Sequence, residues 1–266
     1  MNKGSFRVTF LGTGPSLGVP VIGCECKVCS SENPRNRRMR SSLRVDTAEG
    51  TFIVDAGPDL HHQAIRSGLK SLDAVVLTHA HVDHVLGLDE VRIFNFRTGR
   101  DMPVYGTEET FSQIKKFFFY AFDERNPYPW KPQYDLRVIE PGVPFRVAGL
   151  EITPVLLGHG GTSVLGFRMG GGAGGPFAYC TDVHEVPESA YEALEGVDTF
   201  VLNALRLKKH ATHLSFDEAL AAVERVGARR SFLTHLSHDF DYDVIKGKLP
   251  PGVELAHDGL VLDFSG

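Results

Sequence analysis

Three imidazoles and a carboxylate fall within six residues in His79-x-His81-x-Asp83-His84. Burying so many polar groups is costly unless something pairs them, and a divalent cation is the economical partner. The run directly follows the apolar stretch 73–78, which reads as a strand, so a rigid sheet edge would deliver four metal-binding side chains together. Mixed nitrogen and oxygen ligation suits Zn, Mn or Fe. A second ligand group, Cys24-x-Cys26-x-x-Cys29, brings three soft thiolates close together and leaves one place in a tetrahedral shell. His238 is the expected fourth ligand, with His61 and His62 as competitors. In a chain with no visible secretion signal, clustered cysteines indicate metal ligation and not a disulfide framework. Cys180, in an apolar run, reads as a buried structural thiol.

The elements that must position these groups alternate along the chain. Strands are expected at 6–11, 42–45, 51–54 and 74–77, then at 145–147, 151–156, 166–169, 177–180, 199–203 and 231–234. Helices are expected at 58–67, 110–119, 187–194 and 216–226. The last begins at Ser215 as N-cap, with Glu218 completing a capping box. Segments 51–54 and 74–77 are continuous apolar runs, suited to a sheet buried on both faces. The glycine-rich stretch 170–175 lacks the GxxxxGK(S/T) pattern and joins two strands, so it reads as a flexible hairpin turn and not a phosphate loop. With no low-complexity linker and 42% apolar residues, residues 1–266 read as one α/β domain of sheets covered by helices.

A net charge of -5 argues against broad binding to nucleic acid or acidic membranes. No apolar run approaches the roughly 20 residues of a spanning helix, and a cytoplasmic protein with no membrane partner is the expectation. Between Lys27 and Arg44, six basic residues stand against Glu32 alone. Within that stretch Arg37, Arg38 and Arg40 are candidate contacts for an anionic substrate.

HxHxDH is the signature of the metallo-β-lactamase superfamily, and the chain resembles that family over essentially its whole length. Phe10-Leu11-Gly12-Thr13-Gly14 looks like the opening strand and turn, and Val54-Asp55-Ala56-Gly57 like the second strand-end motif. His159, Asp182 and His235 follow in the family's order. The resemblance implies a four-layer αββα sandwich with two active-site divalent ions, Zn or Mn. His79, His81 and His159 would hold one ion and Asp83, His84 and His235 the other. Asp182 would bridge them, leaving room for a bridging hydroxide, and Asp55 would orient a histidine or the motif loop. Members with a redox di-iron centre typically carry glutamate where His81 stands, which favours hydrolysis.

A Cys3His zinc site beside a dinuclear centre resembles the phosphoribosyl cyclic phosphodiesterase branch of phosphonate breakdown. Cys24, Cys26, Cys29 and His238 would then hold a structural zinc. The run Ala211 to Ala219 resembles the start of a helix in the phosphodiesterase branch that includes tRNase Z, where a histidine contacts the substrate phosphate. By that likeness His213 would act with Asp83 and Asp182 in catalysis and protonate the leaving alkoxide. Only a hairpin separates His159 from Asp182, where tRNase Z carries a long tRNA-grasping arm. A small cyclic or nucleotide-like phosphodiester is therefore expected as substrate, and tRNA is not.

Two other functions use the same residues. One is ester, thioester or lactone hydrolysis by the same nucleophile. The other is non-catalytic binding, as in the pyrroloquinoline quinone-associated branch, which also has a CxCxxC segment. The aromatic segment 117–134 would contribute part of a core helix, with the remainder a lid over a base or sugar, or a homodimer surface. Of the remaining histidines, His184 is expected to line the cleft near Asp182, His210 to be solvated, and His257 to sit in a turn.

Overall fold

The computed structural model describes residues 4–171 and 175–266. The expected turn at 170–175 falls partly outside them. Fourteen strands, numbered along the chain, form two seven-stranded mixed sheets among the described residues. The first runs β14 (Val261–Phe264), β1 (Phe6–Gly12), β2 (Ser42–Thr47), β3 (Thr51–Val54), β4 (Ala74–Val76), β5 (Met102–Gly106) and β6 (Tyr134–Val138). The second runs β13 (Val253–Leu255), β12 (Arg230–Thr234), β11 (Thr199–Asn203), β10 (Phe177–Cys180), β9 (Thr162–Met169), β8 (Leu150–His159) and β7 (Phe145–Val147). Each sheet joins an antiparallel half to a parallel one: β3 to β6 are parallel in the first, β10 to β13 in the second.

Strand alternation sorts side chains into three cores. Phe6, Val8, Phe10, Phe52, Val54 and Val76 of the first sheet meet Phe167, Phe177, Tyr179, Val201 and Phe232 of the second in the layer between them. The intervening residues, such as Ile53 and Val75, face outward under helices α1 (Leu60–Arg66), α3 (Arg92–Thr98) and α4 (Glu108–Phe117). Cys180, Phe200, Leu202 and Leu233 do the same under α6 (Glu188–Ala193), α7 (Phe216–Val226) and α8 (Tyr242–Lys246). The four-layer αββα architecture is present, and Cys180 is buried as expected.

Several boundaries differ from expectation. Strands β5, β6, β13 and β14 carry weak sequence signals: β5 contains Pro103, and β6 is a half-exposed edge. The helix expected at 110–119 starts at Glu108, because the Thr107 hydroxyl accepts from Thr110 N–H at 3.1 Å and caps it, and it breaks at Phe118 before a short turn, α5 (Phe119–Phe122).

Two glycines seat the metal-motif turn, α2 (Val82–Val85), on the loop after β3. A Cβ on Gly57 would lie 2.0 Å from the Asp83 carbonyl, and one on Gly87 2.0 Å from the Gly57 carbonyl. That approach permits Ala56 N–H to donate to His84 O at 2.7 Å and Gly87 N–H to Ala56 O at 2.8 Å. Gly87→Ala must push the two segments apart. It should destabilise the protein by about 1–3 kcal/mol, read as a lower denaturant midpoint; an unchanged midpoint would show that this backbone contact is not tight.

Candidate active site

The ligand-bearing segments leave strand ends on one rim of the sandwich. β4 feeds His79 and His81 and then α2 with Asp83 and His84, while β8 ends on His159. Asp182 and His235 follow β10 and β12, and His213 precedes α7. Asp55, Asp182 and His235 all adopt left-handed backbone, with φ of 63°, 60° and 56°. Each such residue costs on the order of 1–3 kcal/mol and persists where surrounding contacts hold it. Here the strain turns three side chains off their strands toward a common point.

At that point the side chains converge. His84 Nε2 lies 3.3 Å from oxygens of both Asp83 and Asp182, and His235 Nδ1 lies 3.2 Å from Asp182 Oδ1. His159 Nε2 is 3.3 Å from His81 Nδ1. Ligating atoms of His79, His81 and His159 cluster within 4.8 Å, as do those of His79, His84 and Asp182, and those of Asp83, Asp182 and His235. Behind them, buried Asp55 accepts from His84 Nδ1 at 2.7 Å and from Thr78 N–H at 2.9 Å. This matches its expected orienting role.

The donor set fits metal ions. His79 Nε2, His159 Nδ1 and His235 Nε2 are buried and make no hydrogen bond, and each such orphan costs about 1–3 kcal/mol unless paired. Without a cation the cluster's charges lean on each other. Burial, then the neighbouring His84, depresses the His79 pKa. Burial alone would depress His84 too, but Asp182, Asp55 and Asp83 outweigh it and hold its proton tightly. Burial would raise Asp182, yet His235 and His84 keep it ionised well below the usual carboxylate range.

A second cluster joins Cys24, Cys26, Cys29 and His238. His238 Nδ1 is 3.4 Å from Cys24 Sγ, 3.6 Å from Cys26 Sγ and 3.4 Å from Cys29 Sγ. His61 and His62 are exposed and outside this group, and His61 pairs with Glu90 instead. A cavity of about 470 Å³ opens between the two clusters, lined by Ser16, Leu17, His81, Asp182, Arg206 and His210 among others. A second hollow of about 460 Å³ lies on the other side of His79 and His81, against Thr107, Gln113 and Phe117.

His213 falls inside the main cluster. Its Nε2 is 3.1 Å from Asp182 Oδ2, and its ring stacks on His235 with centroids 4.9 Å apart. Other expectations are corrected. Arg38 is buried and donates to the carbonyls of Ser237 and Phe240 at 3.0 and 2.6 Å, and burial lowers its pKa to about 10. Arg40 pairs with Asp59, and neither these two nor exposed Arg37 lines either hollow beside the cluster. His184 is exposed and does not line the cavity, whereas His210, expected in solvent, does. As expected, His257 belongs to a turn, its carbonyl accepting from Leu260 N–H at 3.0 Å, and it is half-buried against Tyr242. In the aromatic segment Phe118 is core, while Phe119, Tyr128 and Trp130 are exposed. The His210-x-Thr212-His213 spacing, two imidazoles around a hydroxyl, was the available signal for His210 and Thr212.

Comparison with known proteins agrees with this geometry. Residues 51–236 match the beta-lactamase superfamily domain. The chain belongs to the metallo-β-lactamase superfamily and, within it, to the PhnP family, for it is 38% identical to a diphosphatase of that family, covering 98% of this chain and 97% of that one, with a TM-score of 0.89. It is also 36% identical over 265 residues to an octanoyltransferase of Porphyromonas gingivalis, covering 98% of this chain but spanning only 52% of that protein's length. The Zn(2+)-bound PqqB of Methylobacterium extorquens shares the fold at 20% identity, with 97% and 100% coverage and a TM-score of 0.81. No helix among the described residues is long and apolar enough to cross a membrane.

Asp55→Asn tests the support behind the cluster, because asparagine tolerates left-handed backbone but replaces a carboxylate acceptor facing His84. Affinity for active-site metal should fall about 10- to 100-fold in chelator competition, with the fold retained. Unchanged affinity would remove Asp55 from the ligand-orienting role.

Proposed function

We propose that the chain is a metal-dependent phosphodiesterase acting on small cyclic or nucleotide-like phosphodiesters. His79, His81 and His159 would hold one divalent ion, Asp83, His84 and His235 a second, with Asp182 between them. Bound there, a pair of ions would supply an ionised water, polarise the phosphoryl group and neutralise the leaving oxygen. Cys24, Cys26, Cys29 and His238 would hold a structural zinc, since four ligands leave no open position for chemistry. That zinc would keep the loop carrying Ser16 and Leu17 as a wall of the cavity.

The observation that carries the reading is His213. Its ring stands against His159 and His235, with centroids 4.8 and 4.9 Å away, and its Nε2 is directed at Asp182. A nitrogen so placed can carry a proton to a departing alkoxide, which leaves poorly without one. Asp182 holds the ring, and the cavity beside it, about 470 Å³, is of a size to take a small phosphodiester. The likeness to a PhnP-family diphosphatase supports phosphoryl chemistry.

The test is turnover of bis-p-nitrophenyl phosphate beside a p-nitrophenyl carboxylic ester and a lactone, with Mn or Zn added. Phosphodiester hydrolysis should dominate; preferential carbonyl hydrolysis, or no turnover, would overturn the reading. His213→Ala should lose about 10²- to 10⁴-fold in rate with an alkoxide leaving group and much less with p-nitrophenolate. Equal losses would make His213 a phosphate-binding residue, and loss of metal would make it a ligand.

A further inference from the structure

His81, exposed at the edge of the ligand cluster, lines both the cavity beside His213 and the hollow against Gln113 and Phe117. An ester whose phosphorus sits at the cluster therefore has room for one arm on each side. The two sides differ in charge. The cavity beside His213 carries Arg206 and His210, with Asp239 its one carboxylate outside the cluster. The hollow has exposed Glu108 and Glu109 and no lysine or arginine in its lining; Lys116 stays outside, its Nζ 3.5 Å from Gln113 Oε1. A second phosphate would be repelled there. Glu109, Gln113 and Phe117 recur every four residues of α4 and form one stripe along it, beside the face that buries Phe111 and Ile114. Phe117 is left 39% exposed. Leu156, which also lines the hollow, has the strand parity of Leu150 and Ile152, both sealed between the sheets, yet it is 45% exposed. The layer between the sheets ends at Leu156, and the hollow takes its place.

We infer that this hollow is a base subsite: the substrate is a nucleoside phosphodiester whose base packs on Phe117 and Leu156 while its phosphorus meets the ligand cluster. A nucleobase suits the lining on each count. Its faces stack on an aromatic ring whatever the base, and covering Phe117 and Leu156 removes apolar surface that the fold leaves in water. Its edge carries donors and acceptors, which the Gln113 amide can answer in both senses and the two carboxylates as acceptors. It is uncharged, as a hollow lined by glutamates and no cation requires. A sugar alone would set hydroxyls against both apolar side chains, and a lipid tail would meet two carboxylates. Glu108 and Glu109 also complement the positive end of α4, so the helix holds them in place before any ligand arrives.

The substrate named here rests on the phosphodiesterase reading; the affinity of the hollow for a base does not. Adenosine cyclic phosphate, closed on its ribose diol, and glycerol cyclic phosphate present the same strained cyclic diester with and without a base. In the metal-loaded protein Phe117→Ala should lower kcat/KM for the adenosine ester, mainly through KM, by about tenfold more than for the glycerol ester. Phe117→Tyr, which keeps a ring, should restore the difference. Adenosine alone, titrated into the zinc-loaded protein, should shift the amide NMR signals of Gln113, Leu156 and Leu165 to saturation, and Phe117→Ala should weaken that binding about tenfold. A loss no greater for the adenosine ester than for the glycerol ester would overturn the inference. So would an adenosine titration that leaves those signals in place, or one that Phe117→Ala does not weaken. If the parent hydrolyses neither ester, the functional reading falls, while the adenosine titration still decides what the hollow binds.

Discussion

The Asp182 carboxylate sits where burial alone would neutralise it, and three histidines keep it charged. Oδ1 lies 3.3 Å from His84 Nε2 and 3.2 Å from His235 Nδ1, and Oδ2 lies 3.1 Å from His213 Nε2. Those histidines arrive from α2, the end of β12 and the loop before α7, on both sheets of the sandwich. A buried carboxylate with fewer partners would take up a proton, and a buried imidazole cluster without it would lose them. The two sheets therefore have to stack in the register that brings these strand ends to one rim. The left-handed turns at Asp55, Asp182 and His235 are part of what that register requires.

The loop carrying Leu17 and the three clustered cysteines has little regular structure, and it depends on contacts at a distance. His238 lies three residues beyond His235, so a single stretch after β12 serves both clusters. Arg38 reinforces the link by donating to the Ser237 and Phe240 carbonyls on either side of His238. A movement of the cysteine loop would be passed to the wall of the cavity and to His235 through very few bonds.

The sequence was most informative where the chemistry is local. HxHxDH and CxCxxC place ligands within a turn or two of one another, and their spacing alone indicated metal-binding groups. His159, Asp182 and His235 were placed by the resemblance to the family, and each lies at or just past a β-strand, although β8 runs through His159 instead of stopping before it. Edge strands such as β6 were missed, since a half-exposed edge has no continuous apolar run to reveal it. Arg38 in a basic stretch resembles a surface residue, and its burial depends on carbonyls some two hundred positions away. His210 follows two lysines and looks solvated, but its loop folds back over the cavity.

The account's central claim is that these side chains are arranged around cations, and the most direct measurement is a crystal structure of the metal-loaded protein with anomalous scattering recorded at the zinc and manganese edges. The account predicts two ions on either side of Asp182, about 3.5 to 4 Å apart, and a separate zinc among Cys24, Cys26, Cys29 and His238. An empty histidine cluster in protein soaked with both metals, or a single ion that leaves Asp83, His84 and His235 unliganded, would contradict it.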